Sequence, residues 1–406
     1  MYLHGTSRIN GQGHLEIGGC DTTQLAKQYG TPLYVYDEES IRGKCRAFHR
    51  AFKESGFSYQ VAYASKAFLC MEMCRVAREE NMSLDVVSGG ELYTALQAGF
   101  PASRIHFHGN NKTEEEIVMA LQANIGCFVV DNFLELEILH DLAVQHGKFV
   151  NILIRVTPGV EAHTHEYITT GQDDSKFGFG VSNGQAMQAI EVLHQFLEEV
   201  RERTNYVVKV LNVGGGFGIR YTESDTPLTL ETYVRAVTSA VREQFTVCNY
   251  PLPEIWVEPG RSIVGDAGTT LYTVGSVKDI PGIRKYVSVD GGMTDNLRPA
   301  LYNARYEAML ANRGNDENEE TVSIAGKCCE SGDMLIWDIT LPKVASADLL
   351  AISCTGAYGY SMANNYNRIR RPAVVFVKGG TSQIVVERET YENIIGNDRI
   401  RIKELV

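Results

Sequence analysis

The stretch YQVAYASKAFLCMEMCRVAREENMSLDVVSGGE, residues 59–91, contains a complete strand–helix–strand pattern. The apolar runs at 61–64 and 84–87 each have the length and composition of a buried strand. Between them, four apolar residues recur at helical spacing and would share one helix face: Leu69, Met73, Val76 and Ala77. Two buried strands joined by a helix are typical of a parallel sheet, so this stretch predicts an α/β fold.

The same alternation extends from about residue 33 to residue 260. Apolar runs lie at 33–36, 60–64, 84–87, 105–108, 127–130, 150–156, 207–213 and 255–257. Helical patterns follow most of these runs, and two begin with capping-box residues: Thr113 with Glu116, and Asn132 with Glu135. After Gly260, β-rich runs separated by glycine turns indicate an antiparallel β domain, to which HLEIGG at 14–19 could add a strand.

The bulk composition limits the classes of function. The 406 residues carry a formal net charge of −12, which argues against nucleic acid as a partner. No apolar run approaches the ~18–20 residues that span a bilayer, and the N-terminal segment has no signal-peptide core. Nine cysteines without a CxxC pair favour reduced thiols in the cytoplasm over disulfides or a metal site.

Lys66 directly follows the apolar run 61–64, and two interpretations of this position are open. The ordinary one is that the side chain reaches water just past the strand, as most lysines do. The other is that the amine is held where water is scarce, because burial lowers the pKa of a lysine and a neutral amine can condense with a carbonyl. The stretch alone favours the ordinary interpretation.

Polar or glycine-rich segments follow most of the predicted parallel strands. They are Lys66, SGGE at 88–91, HGNNK at 108–112, Arg155, GGG at 214–216 and EPGR at 258–261. Each has an ordinary explanation alone, as a turn or a paired polar residue. Active sites of α/β barrels lie at the carboxyl ends of the strands, so the six together indicate a functional site.

The triple glycine at 214–216 suits a phosphate, because backbone N–H groups without side chains can approach the anion closely. It is not a GxGxxG motif, so a dinucleotide site is weakly indicated. A phosphate cradle, a carboxylate at Glu258 and a strand-end lysine together suit pyridoxal 5'-phosphate, which has a phosphate, a ring nitrogen and an aldehyde.

Several longer motifs along the chain resemble those of a known enzyme family. In chain order they are YASKA at 63–67, HGNNK at 108–112, EAHTHEYITTGQDDSKFGFG at 161–180, NVGGGFG at 212–218, EPGRS at 258–262, DGGMTDNLRPALY at 290–302, CCESGD at 328–333 and TGAYGYSM at 355–362. With these motifs, residues 30–395 resemble the fold-type III pyridoxal-phosphate-dependent decarboxylases. The resemblance implies a (β/α)8 TIM-type barrel at 34–262, and a β domain at 1–33 and 263–406 that completes the active site.

Within that family the chain is most similar to the branch that acts on meso-2,6-diaminopimelate. The resemblance implies decarboxylation to L-lysine and CO2, the last step of lysine biosynthesis, through an external aldimine and a quinonoid. Lys66 would hold the cofactor as an internal aldimine, and Glu258 would face the pyridine nitrogen. The remaining cofactor-binding residues would be His108, Gly214, Gly215, Gly216, Pro259, Gly260, Arg261 and Tyr358.

The resemblance also implies the substrate contacts. Arg261, Arg298 and Tyr302 would grip the distal carboxylate, and a bidentate arginine suits that task better than a lysine. Glu330 would bind the distal ammonium, Tyr358 would contact both cofactor and substrate, and Cys329 would be the catalytic proton donor. In this family Cys329 and Glu330 come from the partner subunit, which implies a homodimer with shared sites. With these motifs present, the reactive interpretation of Lys66 becomes the favoured one.

One expected motif is absent. The family carries H-x-H-x-G-S on a strand before the triple glycine, and its second histidine and its serine contact the cofactor ring and phosphate. Here residues 184–203 are interpreted as one helix that runs almost directly into NYVVKVLNVGGG, and the missing part falls near 187–190. Either a segment has been left out of the sequence as written, or the chain carries a true internal deletion. We favour the former, because the other site residues match.

Three alternative functions are open. A related decarboxylase could act on arginine, ornithine or carboxynorspermidine, although CESGD and RPALY argue against ornithine. A second alternative is a pyridoxal-phosphate-binding regulatory protein without turnover, and the missing strand is its only support. Alanine racemase is the weakest alternative, because CESGD has no place in it.

Overall fold

The computed structural model describes residues 1–156, 197–247 and 249–400. The chain divides into two compact units. One comprises Met1–Glu38 and Gly268–Val406 and is called the β unit; the other, Glu39–Ala267, is called the α/β unit. None of the helices in the described residues is long and apolar enough to cross a membrane, and no disulfide joins the described cysteines.

The chain begins in the β unit with a small sheet. Three short strands form it, β1 (Arg8–Ile9), β2 (Leu15–Ile17) and β3 (Cys20–Asp21), and they pair antiparallel. Helix α1 (Thr22–Tyr29) follows, capped by the Asp21 carboxylate, which accepts from Thr23 N. HLEIGG therefore supplies a strand, but to this separate sheet rather than to the main one. Strand β4 (Leu33–Asp37) comes next, and all five of its residues are buried.

A seven-stranded parallel sheet forms the frame of the α/β unit. Its strands are β5 (Tyr59–Ala64), β6 (Ser83–Val86), β7 (Ile105–Phe107), β8 (Cys127–Val130), β9 (Ile152–Ile154), β10 (Val210–Asn212) and β11 (Glu254–Val257). The order across the sheet is β10-β11-β5-β6-β7-β8-β9. The first strand in sequence thus pairs with the last, as in a barrel, and the seven apolar runs from 60–64 onward are confirmed as strands.

The ends of this sheet are β9 and β10, which do not pair with each other among the described residues. The run at 33–36 is β4 and belongs to the β unit, so it does not supply an eighth parallel strand. Residues 187–190, where we expected the missing strand, lie outside the described residues. An α/β fold with a parallel sheet is confirmed, and in the described residues this sheet has seven strands.

Helices connect these strands. Their bounds are α2 (Glu38–Ser55), α3 (Met71–Glu79), α4 (Gly89–Gln97), α5 (Glu114–Ala123), α6 (Phe133–Gln145), α7 (helical over 197–204), α8 (Leu230–Val247) and α9 (Arg261–Val264). The predicted capping box of α5 is confirmed, with Thr113 and Glu116 each bonding the other's backbone N–H. Asn132 caps α6 through its side chain, but the Glu135 carboxylate binds Lys112 instead of completing the box.

The main sheet of the β unit is mixed rather than purely antiparallel. Its remaining elements are β12 (Gly268–Ile280), β13 (Arg284–Val289), α10 (Arg298–Tyr302), β14 (Ala308–Leu310), β15 (Glu320–Ala325), β16 (Met334–Leu341), β17 (Leu349–Ile352), β18 (Ala373–Lys378), β19 (Thr381–Val386) and α11 (Tyr391–Ile395). Two strand pairs, β13–β15 and β4–β18, are parallel. Parallel pairing needs a long crossover, and α10 with β14 supplies one between β13 and β15.

One apolar core joins the small sheet to the main sheet of the β unit. Its buried members come from β2, β4, β12, β17 and β18, among other segments: Leu15, Ile17, Leu33, Val35, Leu271, Ala351, Val375 and Val377. The backbone continues this contact, because Leu15 N donates to Ala311 O at 2.7 Å and Gly380 N donates to Gly18 O at 2.7 Å. The N-terminal segment is thus an integral layer of this unit.

Candidate active site

Three turns at the carboxyl ends of strands meet in the α/β unit. Ala64 N, at the end of β5, donates to Pro259 O at 3.0 Å, and Glu258 N donates to Gly214 O at 2.8 Å. Gly215 packs so closely that a Cβ atom there would lie 2.8 Å from Glu258 O. The backbone therefore fixes the lysine turn, the triple glycine and the EPGR segment against one another.

Lys66 lies in a single helical turn, Ser65–Ala67, between β5 and α3. Both flanking residues are buried, but Lys66 is exposed. The expectation that its amine lies where water is scarce is therefore wrong for this structure, because the turn buries its neighbours and leaves the long side chain at the surface. Its charge nevertheless acts on Asp85, Glu91 and His108.

The Glu258 carboxylate is held from two sides. Oε1 accepts a hydrogen bond from Asn212 Nδ2 at 2.5 Å and lies 2.8 Å from His108 Nε2. Burial alone would raise the pKa of Glu258, but the His108 contact and the Asn212 hydrogen bond outweigh burial and lower it. Glu258 is therefore an ionised carboxylate at neutral pH, and in this state it can accept a hydrogen bond from a protonated ring nitrogen.

Asp85, within β6 and next to its last residue, completes this cluster. Its Oδ1 lies 3.7 Å from His108 Nε2, and it accepts no hydrogen bond from the described part of the chain. Burial raises the pKa of Asp85 to about 7. The pKa of His108 is raised: burial opposes this, and the charges of Asp85 and Glu258 outweigh burial. Ligand atoms of the three residues lie within 4.8 Å, close enough for a small cation, but the hydrogen bonding of Glu258 fits a cofactor nitrogen as well.

A second layer of side chains lies two residues earlier on the same strands, His106 before His108 and Trp256 before Glu258. His106 on β7 stacks on Trp256 of β11, with ring centroids 4.4 Å apart and an interplanar angle of 10°. The two strands are separated in the sheet by β5 and β6, so these rings meet across its concave face. Burial lowers the pKa of His106 to about 4, so this ring is neutral and supports the charged layer above it.

In the β unit, Arg298 and Tyr358 are brought together. The Arg298 guanidinium lies 5.9 Å from the ring centroid of Tyr358, and it donates to Tyr306 Oη at 2.8 Å. Arg298 is 9% exposed, whereas Tyr302, at the other end of α10, is 58% exposed. A buried arginine held by two tyrosines is oriented before any ligand arrives, which suits recognition of a carboxylate.

Cys329 and Glu330 lie on the exposed turn between β15 and β16. The backbone N–H of Cys329 donates to Asn367 Oδ1 at 2.8 Å, and Glu330 Oε1 accepts from Gly332 N at 3.2 Å. Both side chains are exposed in the isolated chain. Their exposure leaves them available to a ligand or to another copy of the chain.

The remaining polar strand-end residues have structural contacts. Lys112 binds the Glu135 carboxylate at 2.7 Å, and Arg155 lies 3.8 Å from Asp131. Arg261, in the α/β unit, lies over the Tyr221 ring at 6.0 Å. The site residues thus form two groups, one in each unit: Lys66, His108, 214–216 and 258–261 in the α/β unit, and Arg298, Tyr302, Cys329, Glu330 and Tyr358 in the β unit.

Sequence reasoning missed Asp85 and Asn212. Asp85 lies inside the apolar run SLDVV, and Asn212 ends the run VLN before the triple glycine. A polar residue inside a buried strand needs a partner, so each departure from the apolar pattern was a usable signal.

Asp295 lies in the DGGMTD segment of the β unit and is fully enclosed. Its carboxylate accepts hydrogen bonds from Tyr272 Oη at 2.5 Å, Gly292 N at 2.8 Å and Thr294 Oγ1 at 3.2 Å. Burial raises the pKa of Asp295 to about 7 despite these donors, and the charge of Asp333 adds to the rise. The folded protein therefore keeps a proton here that the unfolded chain has already released.

This difference predicts a pH-dependent stability. Between about pH 4 and pH 7 the folded state binds more protons at Asp295 than the unfolded state, so the free energy of unfolding should fall as pH rises. For this group the loss amounts to up to about 4 kcal/mol. Asp295→Asn should remove that slope. Urea unfolding from pH 4.5 to 7.5 measures it, and parallel curves for wild type and variant would contradict the assignment.

Comparison with known proteins places this site in a class. The family model described as "Pyridoxal-dependent decarboxylase, pyridoxal binding domain" matches residues 38–197 and 182–265. The lysine turn, the triple glycine and Glu258 all lie inside the matched residues. The fold and the site together are those of a pyridoxal-dependent decarboxylase.

Curated relatives and solved structures narrow the class. The chain is 59% identical to diaminopimelate decarboxylase of Bacillus subtilis over 430 residues, covering 98% of each chain. It is 55% identical to that of Halalkalibacterium halodurans over 437 residues, covering 100% of each. The crystal structure of diaminopimelate decarboxylase from M. jannaschii with L-lysine is 35% identical, with a TM-score of 0.87 and 98% of each chain covered. The chain belongs to the diaminopimelate decarboxylase family.

The same comparisons reveal a gap. The alignment with the H. halodurans relative spans 437 positions, at least 31 more than this chain has residues. The two matched parts of the family model overlap at 182–197, so the end of one part and the start of the next fall on the same residues. Both observations are those expected of a chain shorter than its relatives by an internal segment.

Proposed function

We propose that this chain decarboxylates meso-2,6-diaminopimelate to L-lysine and CO2, with pyridoxal 5'-phosphate as its cofactor. The observation that carries the proposal is the backbone junction of the lysine turn, the triple glycine and the EPGR segment. That junction gathers an amine, a phosphate cradle and an ionised carboxylate at one end of the parallel sheet. These are the three groups that the cofactor needs.

The residues present fit the cofactor. Gly214 and Gly216 have positive φ, 72° and 90°, a conformation that glycine adopts readily and that can turn successive N–H groups toward an anion. Gly214 N donates to Asn212 Oδ1 at 2.8 Å, so the N–H groups of Gly215 and Gly216 would serve the phosphate. Glu258, held ionised by His108 and Asn212, would keep a ring nitrogen protonated. When bound, the cofactor supplies an aldehyde for amines and a ring that accepts the electron pair left by departing CO2. In our proposal Lys66 is the amine that binds that aldehyde.

The β unit would recognise the substrate. Arg298, buried between Tyr306 and Tyr358, is oriented for a carboxylate, and Arg261 and Tyr302 would assist it. Glu330 would bind the ammonium at the same end of the substrate. A substrate with an amino group and a carboxylate at each end satisfies all of these residues, whereas ornithine would leave Arg298 without an anion.

Cys329→Ala should retain cofactor binding but lower kcat about a hundredfold. In our proposal its thiol donates the proton that replaces the carboxylate, and a positioned general acid contributes roughly 10²–10⁴-fold. Cys20→Ala is the control, because that thiol is buried in the β unit core. The measurement is kcat with the cofactor absorbance recorded in the same samples; unchanged kcat would remove the assigned role.

We further propose that the working unit is a homodimer in the cytoplasm, with Cys329 and Glu330 serving the partner's site. Both residues are exposed in the single chain. Mixing inactive Lys66→Ala with Cys329→Ala subunits would then place both defects in one site of the mixed dimer and none in the other. Freely exchanging subunits should recover roughly a quarter of wild-type turnover. No recovery after verified exchange would contradict shared sites.

The barrel of this family, as the sequence implies it, has eight strands, and we propose that the sequence as written lacks one of them, between β9 and β10. The ends of the sheet fall at these strands in the described residues, and the alignment gap and the overlapping family matches support a missing segment there. We favour an omitted segment over a true internal deletion, because the other site residues match. In a true deletion, the histidine and serine of H-x-H-x-G-S would be lost with that strand. Lys66, the triple glycine and Glu258 would then hold the cofactor with fewer contacts than in relatives.

The deciding experiment is CO2 release by the purified protein at saturating pyridoxal phosphate, with meso-diaminopimelate, L-ornithine and L-arginine compared. Release from meso-diaminopimelate alone supports the proposal. Release from ornithine or arginine alone would replace it with the related decarboxylase. Cofactor binding with no release from any of the three would favour a regulatory protein without turnover, the alternative that the gap keeps open.

A further inference from the structure

Asp333 ends the CCESGD segment, and its carboxylate lies between two loops of the β unit. Oδ1 accepts from the backbone N–H of Met293 at 2.6 Å, and Oδ2 accepts from that of Cys328 at 2.7 Å. We propose that Asp333 is a positioning residue that fixes the Arg298 segment against the Cys329–Glu330 segment. Its effect on turnover rests on the proposed function; the clamp itself does not.

Each oxygen of the carboxylate serves a different loop. Met293 lies five residues before Arg298, and Cys328 directly precedes Cys329. Asp333 is 3% exposed, so no water competes for these donors. The backbone bond from Lys327 N to Gly291 O, at 2.9 Å, also ties these two loops, and the bond from Gly326 N to Asp333 O, at 2.9 Å, closes the second loop on itself. The carboxylate thus completes a four-bond junction.

The surrounding backbone leaves the carboxylate little freedom. A Cβ atom at Gly326 would lie 2.2 Å from Asp333 Oδ2, so only glycine fits at this position. Asp333 N donates to Glu330 O at 3.1 Å, which closes the turn that carries Glu330. The carboxylate, the glycine and the turn therefore form one rigid piece.

An ionised aspartate suits this place and an amide does not. Two N–H donors face two acceptor oxygens, and hydrogen bonds to a charged acceptor are stronger than neutral ones. Asparagine would turn an NH2 group toward one of the donors and leave a buried N–H without an acceptor. The negative charge also reaches its neighbours: burial and then Asp333 raise the pKa of Cys328 to about 12.

The consequence for the reaction is geometric. Arg298 would hold the distal carboxylate of a substrate, while Glu330 and Cys329 are carried by the other loop. Separating the loops by about 1 Å would misplace these groups relative to each other, and such a shift can cost about a hundredfold in rate. The residues proposed to hold the cofactor lie, except for Tyr358, in the other unit.

The test compares Asp333→Asn with Asp338→Asn. Asp338 lies on β16, is exposed, and bonds Ser323 and Arg284. Hydrogen exchange of the full-length protein, with pyridoxal phosphate bound, reports on peptides covering 290–297 and 326–332. Steady-state kinetics with meso-diaminopimelate and titration of cofactor absorbance are run on the same preparations. Gly326→Ala, which pushes a methyl group onto Oδ2, is the second variant.

We expect Asp333→Asn to lose protection in both peptides together and to lower kcat/KM about 30- to 100-fold, with the cofactor dissociation constant within twofold of wild type. Asp338→Asn should match wild type in all three measurements. If Asp333→Asn does not fold, Gly326→Ala must show the paired loss. Unchanged exchange in either loop, or unchanged kcat/KM in a folded variant, overturns the proposal. If the wild type does not decarboxylate meso-diaminopimelate, the proposed function fails and the exchange data still decide the clamp.

Discussion

Lys66→Ala should abolish covalent attachment of the cofactor and lower turnover by ~10³-fold or more. Lys66 is the amine that lies in the turn joined to the EPGR segment, and Ala64 N of the same region bonds Pro259 O. Alanine keeps this backbone turn but removes the nucleophile. The fold should therefore survive while the chemistry is lost.

The measurement is mass spectrometry of the tryptic peptides after borohydride reduction with pyridoxal phosphate. Wild type should carry the reduced adduct at Lys66, and Lys66→Ala should carry none at a specific site. Lys209→Ala is the matched control, because Lys209 is an exposed lysine of the same unit, just before β10. An adduct at another lysine, with turnover retained in Lys66→Ala, would contradict the assignment.

Lys112→Met should destabilise the protein by about 3–5 kcal/mol, although Lys112 has no proposed part in the chemistry. Its ammonium is buried and donates to Glu135 Oε1 at 2.7 Å, Val129 O at 2.8 Å and Gly109 O at 2.9 Å. All three donors of the amine are therefore used. Methionine would leave the Glu135 carboxylate and two carbonyl groups buried without this partner.

Urea unfolding of wild type, Lys112→Met and the double variant Lys112→Met/Glu135→Leu measures this effect. The double variant should recover much of the loss, because it no longer buries an unpaired carboxylate. Lys148→Met is the control: Lys148 bonds Asn124 Oδ1 at 2.6 Å at an exposed site and should cost less than about 0.5 kcal/mol. Equal losses for Lys112→Met and Lys148→Met would show that the buried pair does not stabilise the fold.

Features of the fold that depend on near neighbours in sequence were predictable. The apolar runs from 60–64 onward became the parallel strands, and Thr113 with Glu116 formed the capping box. The triple glycine formed a turn in which two glycines have positive φ. Each of these depends on local periodicity or on residues within a few positions of one another.

Features set by distant partners were not predictable in the same way. HLEIGG formed a strand, but nothing in its six residues shows that it pairs with β1 and β3 instead of the main sheet. The spacing of Glu135 from Asn132 predicted a capping box, but its carboxylate instead accepts a hydrogen bond from Lys112, which lies 23 positions earlier. The roles of Asp85 and Asp333 depend on hydrogen-bond donors and charges that come near them only when the chain folds, so they could not be predicted from nearby residues.

Strand β4 lies between β12 and β18 in the finished β unit, and both of these partners follow it by more than two hundred residues. A ribosome therefore releases the whole α/β unit before either edge of β4 can find its neighbour. During synthesis the five side chains of β4, which are all buried in the folded protein, therefore remain without their partner strands. A truncated product that stops before Gly268 would lack both partners of β4, so the backbone edges of this strand would stay unpaired. Unpaired strand edges promote aggregation, so we expect such a product to aggregate rather than to form a soluble half-molecule.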